Sequence, residues 1–210
     1  MDFKTIDLGL IEYKTAWDLQ KEVLIAVKAG KSVSTLMLCR HYPVITLGRL
    51  GRKENILVDT DIPVIQVERG GDVTYHGPGQ LTVYPIFNLE HFKKDIHWFL
   101  RSLEEVVIDL LADFGIFTGR KPGATGVWIG NGKICSIGIA IRNWVTFHGL
   151  TINIKEDDLV NFGLIRPCGM DIKMVSLEGL LGRPVEIDAI KEKMISKFEA
   201  VFSQEAACLK

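Results

Sequence analysis

The sequence predicts an α/β (α+β) domain, a mixed, largely antiparallel sheet flanked by helices, and three observations predict it. Eight short runs rich in β-branched and aromatic residues are spread over the chain, several are separated by segments too short for a crossover helix, and two longer stretches carry the apolar spacing of amphipathic helices. A doubly wound parallel sheet needs a helix between successive strands, and runs 34–40 and 44–47, or 127–129, 134–141 and 146–154, leave no room for one. The 210 residues read as one domain, 1–210, without linker, repeat or low-complexity tract.

In order along the chain, residues 3–10 form the first expected strand. Thr15-Ala16-Trp17-Asp18 then offers an N-cap with an acidic residue three positions on, Leu19, Val23 and Val27 follow at helical spacing, and Gly30 supplies a stop. Strands are expected over 34–40, 44–47 and 63–68, with a polar loop holding Gly48, Gly51 and Asn55 between the last two. A glycine-rich segment leads into a strand at 81–87. From about Asp95, the apolar positions Phe99, Leu103, Val107, Leu110 and Phe114 mark a long amphipathic helix closed by Gly115. Runs 127–129 and 134–141 flank Gly130-Asn131-Gly132-Lys133, where Asn-Gly admits the positive φ of a tight hairpin turn. A strand at 146–154 follows a break at Asn143-Trp144, residues 159–169 read as irregular, Ser176 caps a short helix and Asp188 opens a terminal one.

Composition excludes several classes of function. Lys plus Arg total 25 against 26 for Asp plus Glu, so a net charge of −1 supplies no global basic field for nucleic acid or an anionic membrane. The longest apolar runs, 23–27 and 81–87, fall far short of the roughly 20 residues of a membrane span. Acidic residues within Met1-Asp2-Phe3-Lys4-Thr5-Ile6-Asp7 stand where a signal peptide is basic, which makes the cytoplasm the expected compartment. Cys39, Cys135, Cys168 and Cys208 are widely separated and form no CxxC pair, so neither a disulfide framework nor a metal site is expected.

The densest local signal is Arg69-Gly70-Gly71-Asp72-Val73-Thr74-Tyr75-His76-Gly77-Pro78-Gly79-Gln80, with four glycines and a proline in twelve residues. Such a backbone either approaches a ligand closely or simply turns between two strands. Neither GxGxxG nor GxxxxGK[ST] occurs, so no phosphate cradle and no nucleotide cofactor is expected. Cys168, in Ile165-Arg166-Pro167-Cys168-Gly169, sits at a break that would expose a thiol, whereas Cys39 and Cys135 lie in apolar runs that suit core packing. A free thiol is mostly protonated at neutral pH, and a nucleophilic one needs a neighbouring cation or base. Lys133, His76 and His148 are the candidates, although a lysine just after a turn is ordinarily a surface charge and a strand histidine ordinarily a core one.

The segment from Arg69 to Gln80, continued by Leu81, closely resembles the signature of the lipoyl(octanoyl) transferases. Tyr42-Pro43-Val44-Ile45-Thr46-Leu47-Gly48-Arg49, Gly132-Lys133-Ile134-Cys135-Ser136-Ile137-Gly138, Phe147-His148-Gly149-Leu150 and Pro167-Cys168-Gly169 resemble further segments of that family, in its order. The chain departs from the pattern at Arg40, where the family more often has an acidic residue, and in Val175-Ser176-Leu177, which lacks the usual Thr. The resemblance implies a domain similar to the catalytic domain of biotin and lipoate ligases. It implies octanoyl transfer from acyl carrier protein to lipoyl domains of 2-oxoacid dehydrogenase complexes and to the glycine cleavage H protein, by a monomer without cofactor.

Cys168 is then the acyl-thioester nucleophile and Lys133 the group that lowers its pKa and relays protons, a role that requires burial to bring the lysine pKa toward neutrality. Arg69, Gly70, Gly71, Asp72, Val73, Thr74, Tyr75 and His76, with Ser136, Ile137, Gly138, Gly149, Leu150 and Thr151, are implied to line the acyl site. Backbone N–H groups near Gly169 or in Gly70-Gly71 are candidates for the oxyanion. Arg49, Arg52 and Lys53 form a local basic loop able to meet an acidic carrier. An ATP-dependent ligase is the nearest rival reading, disfavoured because Thr74-Tyr75-His76-Gly77 replaces a basic adenylate loop; a noncatalytic acyl-carrier-binding module is the other.

Overall fold

Strands β1 (Lys4–Ile11), β2 (Thr35–His41), β6 (Gln80–Ile86), β10 (Val145–Asn153), β9 (Gly132–Arg142), β8 (Ala124–Ile129) and β7 (Gly119–Lys121) lie side by side in that order, and β11 (Lys173–Met174) pairs with β9 off this path. The pairs β1–β2 and β9–β11 are parallel and the others antiparallel, and among the latter β7–β8, β8–β9 and β9–β10 are joined by hairpin-length connections. A second sheet has the order β4 (Val64–Gln66), β3 (Val44–Leu47), β5 (Val73–His76). This computed structural model describes residues 3–167 and 172–207.

The central strands read as unbroken apolar runs because both of their faces are covered. Leu36 and Leu38 of β2, with Leu81 and Val83 of β6, face helices α2 (Ile96–Ala112) and α4 (Ile187–Ala207); Met37 and Cys39, with Tyr84 and Ile86, face α1 (Tyr13–Lys28). In the larger core, Phe198 and Phe202 stack one helical turn apart at 5.7 Å, and Phe87 meets Phe202 edge-on at 5.2 Å. The Asp95 carboxylate caps α2 by accepting from the Trp98 N–H at 3.0 Å, and Ser176 Oγ caps α3 (Leu177–Leu181) by accepting from Gly179 N–H at 3.1 Å.

Four local expectations need correction. Helix α1 begins three residues early, with Glu12 at the N-cap position and Thr15 inside the first turn, because Tyr13 is buried against Val44 and Val67 and draws the start back to itself. The segment read as a glycine-rich loop contains β5, whose partner β3 supplies the pairing that glycine content conceals. Residues 157–164 form a 3-10 helix rather than irregular chain. In the β8–β9 hairpin Ile129 pairs with Gly132, so the turn is Gly130-Asn131, the positive φ of 54° belongs to Gly130, and Lys133 is already in a strand. No helix among the described residues is long and apolar enough to cross a membrane.

Candidate active site

The second sheet leans over the β9–β10 half of the main one, and a cavity of about 880 Å³ lies between them. Its near wall is the loop from Arg69 to Asp72, held down at several points. Gly70 N–H donates to the Ile139 carbonyl of β9 at 2.8 Å, Arg49 N–H to the Arg69 carbonyl at 3.0 Å, and Leu50 N–H to the Gly71 carbonyl at 3.0 Å. Gly138 keeps the contact between loop and strand close, since a Cβ there would lie 3.0 Å from the Gly70 carbonyl oxygen and press on the loop. The Asp72 carboxylate accepts from Arg52 N–H at 3.1 Å and Asn55 Nδ2 at 2.5 Å, which ties the basic loop 49–53 to the cavity wall. Arg69 is buried, and its fork grips Thr46: Nε donates to the hydroxyl at 3.2 Å, Nη2 to the carbonyl at 2.7 Å and to the hydroxyl at 2.8 Å, while Nη1 reaches the Gly70 carbonyl at 3.0 Å.

These bonds fix the state of a buried histidine. With the Thr46 oxygen occupied by Arg69, its hydroxyl proton is directed to His76 Nε2, 3.4 Å away, and His76 Nδ1–H faces Thr151 Oγ1 at 3.3 Å. Burial first, then the charges of neighbouring His41 and Arg69, holds His76 well below the usual imidazole range, so it is neutral. Tyr13 stacks on its ring at 5.6 Å. His41 Nδ1 donates to the Ile11 carbonyl at 3.0 Å and its Nε2 accepts from Tyr84 O–H at 2.7 Å; burial lowers it to about 4. His148 sits at φ 55°, with its backbone N–H held by Gln20 Oε1 at 2.8 Å. Its ring lies 3.4 Å from both Glu68, which accepts from Nε2–H, and the Tyr13 hydroxyl, and burial lowers its pKa. The inner end of the cavity is therefore polar but uncharged apart from the Arg69 and Glu68 groups.

Lys133 lines the same cavity. It stands at the start of β9, half-buried, with Nζ 5.2 Å from the Trp128 ring centre. Met174 of β11 is its strand partner, and Val175 N–H donates to its carbonyl at 3.1 Å. Cys168 lies outside the described residues, as does Gly169, but both limbs of the chain that lead to them reach the site: Pro167 and Ile172 line the same cavity as Lys133. Cys39 and Cys135 are buried, and desolvation raises both thiols, Cys135 to about 12, which suits packing rather than attack.

Of the residues implied to line the acyl site, Arg69, Gly70, Gly71, Asp72, Val73, Thr74, His76, Ser136, Ile137, Gly138, Gly149 and Thr151 line this cavity. Tyr75 and Leu150 do not. Strand alternation turns Tyr75 into the small core, where its hydroxyl donates to Asp158 at 2.9 Å, and Leu150 into the main core. Gly70 N–H, offered as an oxyanion donor, is occupied by Ile139. Tyr13, Glu68, Tyr84 and Trp128 also line the cavity and carry no local sequence signal; they arrive from other elements through the tertiary fold.

This architecture is that of the lipoate and biotin ligase catalytic domains. A solved structure of lipoate-protein ligase A bound with ATP superposes with a TM-score of 0.77 at 18% identity, covering 96% of this chain and 85% of that one, and biotin protein ligase from Aquifex aeolicus gives 0.58 at 12%, covering 97% and 71%. The family described as the lipoyl protein ligase A/B catalytic domain matches residues 12–199. Octanoyltransferases of Pelobacter propionicus (43% identical over 199 residues, 94% of each chain) and Geobacter metallireducens (44% over 193 residues, 91% of this chain and 90% of that one) are close relatives. The chain belongs to the lipoyl protein ligase A/B family and, within it, to the octanoyltransferases.

Proposed function

We propose that this octanoyltransferase works by two successive acyl transfers through Cys168, with Lys133 as its proton carrier, taking octanoyl from octanoyl-acyl carrier protein and delivering it to the ε-amine of a lysine on a lipoyl domain. In the first step the Cys168 thiolate attacks the carbonyl of the donor thioester; the carrier's thiolate leaves and takes a proton from the Lys133 ammonium. In the second, a neutral acceptor amine attacks the Cys168 thioester, Lys133 as amine takes its proton, and the Cys168 thiolate is released. Atoms and charge balance, and the donor is already activated, so the route calls on no ATP.

One observation carries this reading: Lys133, Pro167 and Ile172 face a common cavity, with β11 zipping the chain that emerges from the Cys168 segment directly along Lys133. The acceptors are lipoyl domains of 2-oxoacid dehydrogenase complexes and the glycine cleavage H protein, met in the cytoplasm by a monomer. Arg69, Gly138 and Gly149 with their neighbours shape the acyl site, and His76 offers the additional polar contact. Intact mass spectrometry after mixing with octanoyl-acyl carrier protein, followed by peptide mapping, tests the route. An octanoyl thioester on the Cys168 peptide, lost in Cys168→Ser, is expected; turnover by Cys168→Ser would overturn it.

A further inference from the structure

A buried carboxylate with no part in the route above lies behind Lys133. Glu104 of α2 has a side chain only 2% exposed, paired with Arg101 Nη1 at 2.6 Å and Arg120 Nε at 3.0 Å. Its other oxygen, Oε1, accepts from the backbone N–H of Gly126 in β8 at 3.1 Å. Gly126 is unusual in two respects. Its φ of 129° is a conformation that side-chain-bearing residues rarely adopt, and a Cβ there would come within 2.6 Å of Lys133 Cε and 3.2 Å of Nζ, as well as colliding with the Cys135 carbonyl oxygen. The bare Gly126 Cα is thus the surface against which the end of the Lys133 side chain rests, and the Trp128 ring, two residues along β8, is a second such surface.

We infer that Glu104 is a positioning residue for the reaction: by holding the Gly126 N–H from the rear, it keeps this stretch of β8 in the glycine-dependent shape that seats the Lys133 ammonium. The chain of contact runs from the α2 carboxylate to a strand backbone and on to the lysine, with no substrate contact by Glu104 itself. The competing role is purely structural: the Arg120 ion pair fastens α2 to the β7 edge, whereas Arg101 lies on α2 itself. The two roles separate because the Arg120 guanidinium holds one carboxylate oxygen, Oε2, while the Gly126 N–H is held by the other, Oε1. The inference rests on the proposed role of Lys133.

The full-length enzyme is assayed as Glu104→Ala, Glu104→Asp and Arg120→Ala, with Lys133→Met as reference, recording kcat, the KM for octanoyl-acyl carrier protein, thermal melting and the alkylation rate of the Cys168 peptide. Displacing a catalytic group by about 1 Å can cost about 100-fold. Glu104→Ala is therefore expected to lower kcat by about 10- to 100-fold with KM unchanged within about twofold. Glu104→Asp keeps the charge beside the arginines, withdraws from Gly126, and is expected to fold and lose kcat in the same direction. Arg120→Ala should melt earlier yet keep kcat. Wild-type kcat in folded Glu104→Asp, or an equal loss in Arg120→Ala, overturns the inference. If Lys133→Met itself leaves kcat and alkylation unchanged, the Lys133 reading falls; if Lys133→Met is impaired and the Glu104 variants are not, only the seat falls.

Discussion

Replacing Arg69 by lysine keeps the charge and removes the fork. Four hydrogen bonds leave this guanidinium in three directions, to the Thr46 hydroxyl and carbonyl and to Gly70, and an ammonium whose protons radiate from one point cannot span them. Two bonds lost at about 1–1.5 kcal/mol each give about 2–3 kcal/mol of destabilisation. For a chain of this size, about 2–4 °C of melting temperature per kcal/mol translates that into a fall of about 4–12 °C. The same loss frees the loop from Arg69 to Asp72, and with Thr46 no longer fully engaged, His76 loses the proton that fixed its tautomer. A drop of about tenfold or more in kcat/KM should accompany the lower melting temperature. Differential scanning fluorimetry and initial rates with octanoyl-acyl carrier protein measure both. An Arg69→Lys protein that melts like the wild type but is inactive would refute the reasoning, because the guanidinium would then act on substrate rather than as a strut.

Lys133→Met should slow alkylation of Cys168 at neutral pH, and Lys133→Arg should keep the charge yet fail to relay protons; an iodoacetamide rate profile against pH that overlays the wild type would uncouple the two residues. Arg49, Arg52 and Lys53 ride on a loop stitched to the cavity wall, with Leu50 73% exposed between them, and changing all three cations to Gln should weaken use of octanoyl-acyl carrier protein and flatten its salt dependence while sparing a small octanoyl thioester. Equal losses with both donors would place these residues in fold or catalysis. His41 is held at about 4 against an ordinary 6.5, so the unfolded chain binds the extra proton between those values: stability is full above about 6.5 and falls, by up to about 3 kcal/mol, as pH drops toward 4. Urea midpoints at pH 7.5 and 4.5 should differ less in His41→Gln than in the wild type; an unchanged difference would remove His41 as the source.

Strand runs, the Asp95 and Ser176 caps, the β8–β9 hairpin and the α+β class were all legible in the sequence, because each depends on neighbours two to four residues away: side-chain alternation, a short polar side chain before a helix, a glycine able to take positive φ. Local pattern also marked the segment from Arg69 to His76, since dense glycine permits the close approach that Gly70 makes to β9. What it could not assign was which side chains look into the cavity. Tyr75 sits within that segment yet faces the small core, and Tyr13, more than fifty residues earlier, stacks on His76, because strand alternation and the docking of α1 set those directions. The same holds for Lys133, which reads locally as a surface charge after a turn. Only the parallel pairing of β11 with β9, the Trp128 ring and the glycine at 126 make it a half-buried cation facing the chain that leads to Cys168, for these contacts join residues that sequence spacing leaves unrelated.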